Sequence, residues 1–329
     1  LLLGTALAAG GLIGYPLIRR LRGQTPVFLA RGQRYDGPLS QTVRDGLIAV
    51  GFDPSWVRGR RVLLKPNLVE PNRQSPHLTT HPSVVLAVAE VFLGWDAQVT
   101  VGEAPGHVRD TEMALVESGL EEALRGERLR FADLNYEETG TVPNAGHTSR
   151  LTQFRFPRTV LEADLIVSMP KLKTHHWAGM TASLKNLYGT LPGVIYGWPK
   201  NVLHHAGIPQ TIVDIASSVP RTLAVVDAIL SMEGDGPIMG TPKPMGLLAM
   251  GLNCAAVDAT LARIIGLEPS KIPYLVLAQG RLGPIDQRDI GQRGEPWESL
   301  VSPFKLLDLP HLQRLRADRL TSASGRVYR

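Results

Sequence analysis

Residues 163–189 read ADLIVSMPKLKTHHWAGMTASLKNLYG. The aliphatic run at 165–167 closes on Ser168, Met169 and Pro170, the pattern of a short buried strand that ends in a turn. Lys171, Lys173, His175, His176 and Lys185 follow at once, so charge crowds against the end of a core element. Five other stretches repeat the apolar part of the pattern: RRVLLKPNLV (60–69), AQVTVGEAPG (97–106), LRFADLNY (129–136), RTLAVVDAI (221–229) and MGLLAMGLN (245–253). Between them, HPSVVLAVAEVFLGW (81–95), TEMALVESGLEEALRG (111–126), PQTIVDIASSV (209–219) and CAAVDATLARIIGL (254–267) carry apolar residues at helical spacing. Strands alternating with helices predict an α/β fold with a mostly parallel sheet flanked by helices. In such a sheet the ligand site is expected at the carboxyl ends of the strands.

Local signals agree with this order. Pro82 and Pro209 suit first helical turns, and Asn253 is placed to cap the helix that begins at Cys254. Residues 136–158 read as a long loop or a hairpin, and the tail after Arg281 as a surface wrap. The expected organisation is a truncated signal or membrane-anchor segment at 1–24, one α/β domain at 25–290 and an extension at 291–329. The first part rests on LLLGTALAAGGLIGYPLI (1–18), apolar and followed by Arg19, Arg20 and Arg22, with Ala6-Leu7-Ala8 as a small-x-small cleavage pattern. Against export, that basic flank favours retention on the cytoplasmic side. An ordinary buried helix is the alternative, because the run barely reaches the length that spans a bilayer.

The chain has 329 residues, 43% of them hydrophobic, enough for a large core. Charged residues are 20% of the chain and dispersed, so the net charge of +5 is a mild excess and no basic tail. No arginine or lysine stripe with interleaved aromatics and no nucleic-acid-binding motif is found, which argues against a nucleic-acid partner. Cys254 is the single cysteine, so the chain builds no iron–sulfur cluster of its own, and a lone cysteine is ordinarily a small buried apolar residue.

Polar residues gather where the strands end: Lys65 and Asn67, Glu103, Asp133 and Asn135, Lys171 and Lys173, Asp227, and Asn253. Asn and Asp there serve turns and caps, but lysines beside a core need an anion, supplied by a carboxylate side chain or by a ligand. On an extended segment Lys171, Lys173 and His175 share a face. A short helix capped by Thr181, carrying Lys185 and Asn186 and closed by Gly189, would bring a third lysine to a cradle for phosphate or carboxylate. No Gly-x-x-x-x-Gly-Lys-Ser/Thr and no Gly-x-Gly-x-x-Gly is present, so no nucleotide motif supports the cradle. The histidines fall in pairs, His77 with His81, His175 with His176 and His204 with His205. The loop Glu233-Gly-Asp235, with Asp227 before it, offers carboxylates for a divalent metal such as Mg²⁺, or equally for backbone amides and the lysines.

The segments LLKPNLVEPN, TTHPSVV, VGEAPG, DLN, VSMPKLKTHHWAGMTASLKNLYG, VVDAILSMEGDGP and NCAAVDATLARIIGL, in this order over residues 27–290, resemble the domain of unknown function 362 family. Its hallmark positions carry over onto Lys65, Pro66, Asn67, Thr80, His81, Glu103, Lys171, Lys173, His175, Lys185, Asn186, Asp227, Glu233, Asp235 and Asp258, without a chemistry attached. Some relatives join this domain to a ferredoxin-like module, which this chain does not show, and others carry twin-arginine export signals, to which its N-terminal segment is similar. Two readings follow. In the first, an exported or membrane-tethered enzyme, periplasmic or otherwise extracytoplasmic, binds a small anionic molecule. Lys65, Asn67, Thr80, Lys171, Lys173, Lys185 and Asn186 then serve as ligand-binding residues, and His175, His81 and Glu103 as catalytic ones. Asp227, Glu233 and Asp235 are the metal candidates of that reading. In the second, a non-catalytic accessory protein serves a redox partner protein, and the lysines pair with internal carboxylates.

Overall fold

The computed structural model describes residues 23–318, 320–321 and 327–328, so the apolar segment expected to be a signal or anchor lies outside them. The main elements, in order, are β1 (Thr25–Ala30), α1 (Leu39–Ala49), β2 (Arg61–Lys65), α2 (Pro82–Leu93), β3 (Gln98–Glu103), α3 (Thr111–Ser118), α4 (Leu120–Gly126) and β4 (Phe131–Asp133). A hairpin of β5 (Thr139–Pro143) and β6 (Gln153–Pro157) interrupts the alternation. It is followed by β7 (Leu165–Ser168), β8 (Lys171–His175), β9 (Gly179–Thr181), α5 (Ser183–Asn186), α6 (Asn201–His205) and α7 (Ile208–Ser218). Then come β10 (Thr222–Glu233), β11 (Thr241–Gly251), α8 (Cys254–Ile264) and β12 (Ile290–Gly294).

One sheet runs β12-β1-β11-β10-β7-β2-β3-β4. Every neighbouring pair in it is parallel except the two that involve β11. The fold is α/β with a mostly parallel sheet, as the alternation predicts. Side chains alternate across β2, with Val62 and Leu64 on one face and Leu63 on the other. The first face is covered by α1 and α2 through Val43, Leu47, Val84, Val88 and Phe92, and the second by α7 and α8 through Ile212, Ile215, Val257 and Leu261. Each such side chain contributes about 1.5–3 kcal/mol by leaving water. The buried Cys254 belongs to the second face, and burial pushes its thiol up to about 12, the behaviour of an inert core residue.

Several expectations change. The stretch at 111–126 forms two helices, because Gly119 adopts a left-handed conformation with φ 74° and ends the first. Since β11 runs against its neighbours, its carboxyl end lies at the opposite edge of the sheet, and Asn253 caps α8 there by accepting from the Ala256 amide, away from the other strand ends. Neither β1 nor β12 is among the strands expected from sequence, and β12 crosses the boundary expected at 290 and joins the sheet.

The lysine-rich stretch does not leave the core. Strand β7 pairs with β10 only over Thr222 to Ala224, and after Met169 and Pro170 the chain resumes as β8 on the same partner, with Lys171 opposite Asp227 and Lys173 opposite Met232. Strand β9 folds back antiparallel on β8. The twelve-residue β10 therefore carries a buried extension past the carboxyl edge, and α5 starts from it.

Candidate functional site

Two buried ion pairs anchor this edge. Lys65, at the end of β2, contacts the Glu103 carboxylate at the end of β3 and donates to the Pro66 carbonyl (2.6 Å) and Asn186 Oδ1 (3.2 Å). Parallel pairing of β2 with β3 sets the two side chains together. A methyl group at Gly189 would overlap both Glu103 Oε1 and Lys65 Nζ, so the absence of a side chain there is what lets the pair form. Burial pushes the Glu103 carboxyl up and the Lys65 amine down, and their contact opposes both shifts. Asn186 donates to Lys65 O and Ser168 Oγ and accepts from Asn67 Nδ2 (3.3 Å), while Asn67 Oδ1 is buried without a partner.

The second pair joins Lys171 Nζ to Asp227 Oδ2 at 2.6 Å, both fully buried. Asp227 also accepts from Tyr35 Oη (3.1 Å) and the amides of His81 and Ile229, and Lys171 donates to Tyr35 Oη (2.8 Å). Tyr35 stacks on His81 at 3.7 Å. His81 Nδ1 accepts from the Ser83 amide and so caps α2. Thr80 Oγ1 donates to Met169 O and accepts from the Asn67 amide, a bond between loops. Lys171, His81 and Thr80 thus hold structure together and do not line the cavity described below.

That cavity, of about 170 Å³, opens between the β3 and β8 ends, α5 and α6. Its polar walls are Glu103, Asn67 and Asn186, the amines of Lys185 and Lys200, and the rings of His107, His175, His176 and His204, with Trp177 at the rim. Helix α5 presents Lys185 and Asn186 because its start is fixed from α8. Thr181 does not cap it; the buried Asp258 accepts from the amides of Ser183 (2.7 Å) and Leu184 (3.0 Å). Burial raises the Asp258 carboxyl to about 7. Gly189 does not end the helix either, which passes into a 3₁₀ turn over Leu187–Thr190.

Three lysines of this region have no carboxylate within ion-pairing distance among the described residues. Lys173 donates only to the Leu78 carbonyl (2.8 Å), Lys200 donates to the Leu191 carbonyl, and Lys185 lies 3.9 Å over the Tyr188 ring. Burial, helped by neighbouring positive charges, pushes each of these amines down to about 7. His175 Nδ1 accepts from the amides of Trp177 (3.1 Å) and Ala178 (3.2 Å), which fixes the hydrogen of its neutral ring on Nε2. Burial and the surrounding cations hold His175 well below its ordinary value, so its neutral ring offers Nε2–H as a hydrogen-bond donor. Burial and neighbouring cations, Lys185 first among them, push His204 down to about 4, and its Nδ1 is buried without a partner.

The expected metal ligands do not meet. Asp227 is engaged by Lys171 and Tyr35, Glu233 accepts from the Lys305 amide and faces Lys243 (3.5 Å), and Asp235 lies 3.8 Å from His176. No three His, Cys, Asp or Glu among the described residues come together to hold a metal ion.

Lys200 and His107 are missing from the sequence-derived site. His107 lies one residue past the GEAPG cluster, and Lys200 sits in the turn YGWPKN, where a lysine placed between Trp198-Pro199 and a short helix is the available signal. Nothing local marks Tyr35, which reaches Asp227 from the loop after β1.

A thylakoid-associated protein of Synechocystis sp. is 32% identical to this chain, over 85% of the chain and 87% of its own length. The structure is similar to that of the lactate racemase apoprotein from Thermoanaerobacterium thermosaccharolyticum, with 16% identity and a TM-score of 0.44 over 72% of this chain and 56% of the racemase chain. The profile of a domain of unknown function, DUF362, matches residues 62–263, from β2 to the last turn of α8. With its cavity-forming segments inside that match, the chain belongs to the DUF362 family.

Proposed function

We propose that the protein is an enzyme that takes a small anionic molecule, bearing phosphate or carboxylate, into the cavity at the carboxyl edge of the sheet. The observation that carries this reading is that Lys185 and Lys200 line the cavity with no carboxylate partner among the described residues, while the acid in its wall, Glu103, is already paired with Lys65. Lys200, buried with one backbone carbonyl as its acceptor, is costly to charge unless an anion arrives, and Lys185 adds a partly exposed amine without an internal counter-ion. The Nε2–H of His175 and the amide of Asn67, whose Oδ1 has no partner, add neutral groups suited to orienting such a ligand. Of the three lysines in the opening stretch only Lys171 has a carboxylate partner among the described residues, and a cavity remains, which favours ligand binding over a purely accessory role.

A thermal-shift screen with phosphorylated and carboxylated compounds tests this. A ligand at about 100 times its Kd stabilises the fold by about 2.7 kcal/mol. The expected result is a rise in Tm that disappears in Lys185→Met and Lys200→Met. No rise with any anion, or a rise that both variants retain, overturns the reading.

The same proposal places the protein at a membrane-bounded compartment, supported by the thylakoid association in the name of the Synechocystis relative. No helix among the described residues is long and apolar enough to cross a membrane. We assign membrane association to the stretch at 1–18 on its apolar composition, and the assignment is tested by fractionating cells that express the chain with and without it. Equal distribution of the two forms overturns the assignment.

A further inference from the structure

Polar groups make up only part of the cavity wall; Val69, Ala104, Tyr188, Pro199, Pro237 and Ile238 supply the rest. The apolar character continues outward at the mouth. Trp177, in the turn between β8 and β9, is 57% exposed, and Met239, which follows Ile238 in the loop between β10 and β11, is 76% exposed. An average tryptophan is far more buried than this, and exposed apolar side chains grouped beside an opening are the mark of a binding surface. Hydrogen bonds hold the group together. The His176 amide donates to the Gly236 carbonyl (3.0 Å) and Thr174 Oγ1 to the Gly234 carbonyl (2.9 Å), which ties the turn that carries Trp177 to the loop that carries Ile238 and Met239. On its other side the Trp177 ring meets the His204 ring edge-on at 5.3 Å, against α6. A fixed apolar rim thus borders a cavity whose interior carries Lys185 and Lys200.

A bare inorganic anion would meet the amines and leave this apolar wall and rim uncovered. An anion with a hydrocarbon chain serves both, because its charged end faces the amines while the chain covers carbon. We propose that the ligand is an anionic amphiphile, a phosphate or carboxylate on an aliphatic chain, bound head first with Lys185 and Lys200 at the head and Trp177 along the chain. The inference rests on the anion-binding reading and adds the substrate class. At about 170 Å³ the cavity is smaller than the roughly 300–1,000 Å³ that encloses a drug-sized ligand. It therefore takes the charged end and the start of the chain, and the remainder runs out over the rim.

The test titrates the full chain by calorimetry with methyl, butyl, hexyl and octyl phosphate, each below the concentration at which it forms micelles, and with octyl glucoside as the uncharged control. Affinity is expected to rise about fourfold for each methylene that reaches the apolar wall and rim, and to level off once the chain has passed Trp177. Lys185→Met and Lys200→Met weaken every phosphate of the series. In Trp177→Ser, a change at an exposed position, the ratio of octyl to methyl phosphate affinity falls by about tenfold. Octyl glucoside binds far more weakly than octyl phosphate. Equal affinity along a series that still depends on the two lysines overturns the amphiphile and leaves the anion site standing. A chain-length rise that Trp177→Ser retains in full overturns the placement of the chain and with it the proposal. Binding of octyl glucoside as tight as that of octyl phosphate, or no binding by any phosphate, overturns the amphiphile and the anion site together.

Discussion

Replacing Lys173 with Met should make the protein more stable, and by an amount that depends on pH. Lys173 is fully buried on β8, and its amine finds one acceptor, the Leu78 carbonyl. Its pKa falls from the ordinary 10.5 to about 7, chiefly through burial and then through Lys171 and Lys185. That depression corresponds to about 5 kcal/mol for charging this amine in the folded state. Between about pH 7 and 10.5 the unfolded chain holds this proton and the folded chain does not, so stability rises with pH across that window and the full cost applies below it. At pH 6 the cost is close to its limit; at pH 9 about 2 kcal/mol of it remains. Met fills similar volume without charge but leaves the Leu78 carbonyl unpaired, which costs about 1–3 kcal/mol at any pH. Urea denaturation of Lys173→Met should therefore give a gain of about 2–4 kcal/mol at pH 6 that shrinks to about zero at pH 9. A loss of stability at pH 6, or a difference that stays constant from pH 6 to 9, refutes the view that this lysine lacks an internal counter-ion.

Three further results follow from the same geometry. Glu103→Gln strands the buried Lys65 amine and should cost about 3–5 kcal/mol in urea denaturation, whereas adding Lys65→Met should recover most of that loss. The Asp258 carboxyl is raised from 3.8 to about 7, so from about pH 4 to 7 the folded chain holds a proton that the unfolded chain releases. Stability should fall with rising pH there by up to about 1.4 kcal/mol per pH unit, and Asp258→Asn should lack that slope in a denaturation series. Anion affinity should be flat below about pH 6 and weaken above pH 7 by up to about tenfold per pH unit for each of Lys185 and Lys200 that the ligand requires charged. Calorimetry in two buffers of different ionisation enthalpy should show proton uptake on binding at pH 7.5, and its absence would count against charging of these amines.

How far the sequence foretells this arrangement depends on the range of the forces involved. Short continuous apolar runs in β2, β7 and β10, and the alternation in β3, are local consequences of burial, so these strands and the helices between them are legible. The reversal of β11 is not, because a buried strand reads the same in either direction. That ambiguity is what moves Asn253 to the far edge. The ends of β2 and β3 bring Lys65 and Glu103 together because parallel neighbours end side by side, a relation that spacing along the chain conveys. Partner choice is different in kind. Lys171, Lys173 and Lys185 look alike in sequence, yet one meets Asp227, one a backbone carbonyl and one an aromatic face.

The difference follows from how β8 is supported. Where it pairs in register with β10, a side chain on one strand meets a side chain on the other, and Lys171 finds Asp227. Past that point the register shifts, Lys173 has only Met232 opposite it, and α5 turns Lys185 away from the sheet toward the cavity. The lysines lose their protein counter-ions in the order in which the chain departs from the sheet. Unpaired positive charge is thereby concentrated at the cavity wall, where a partner can enter from outside.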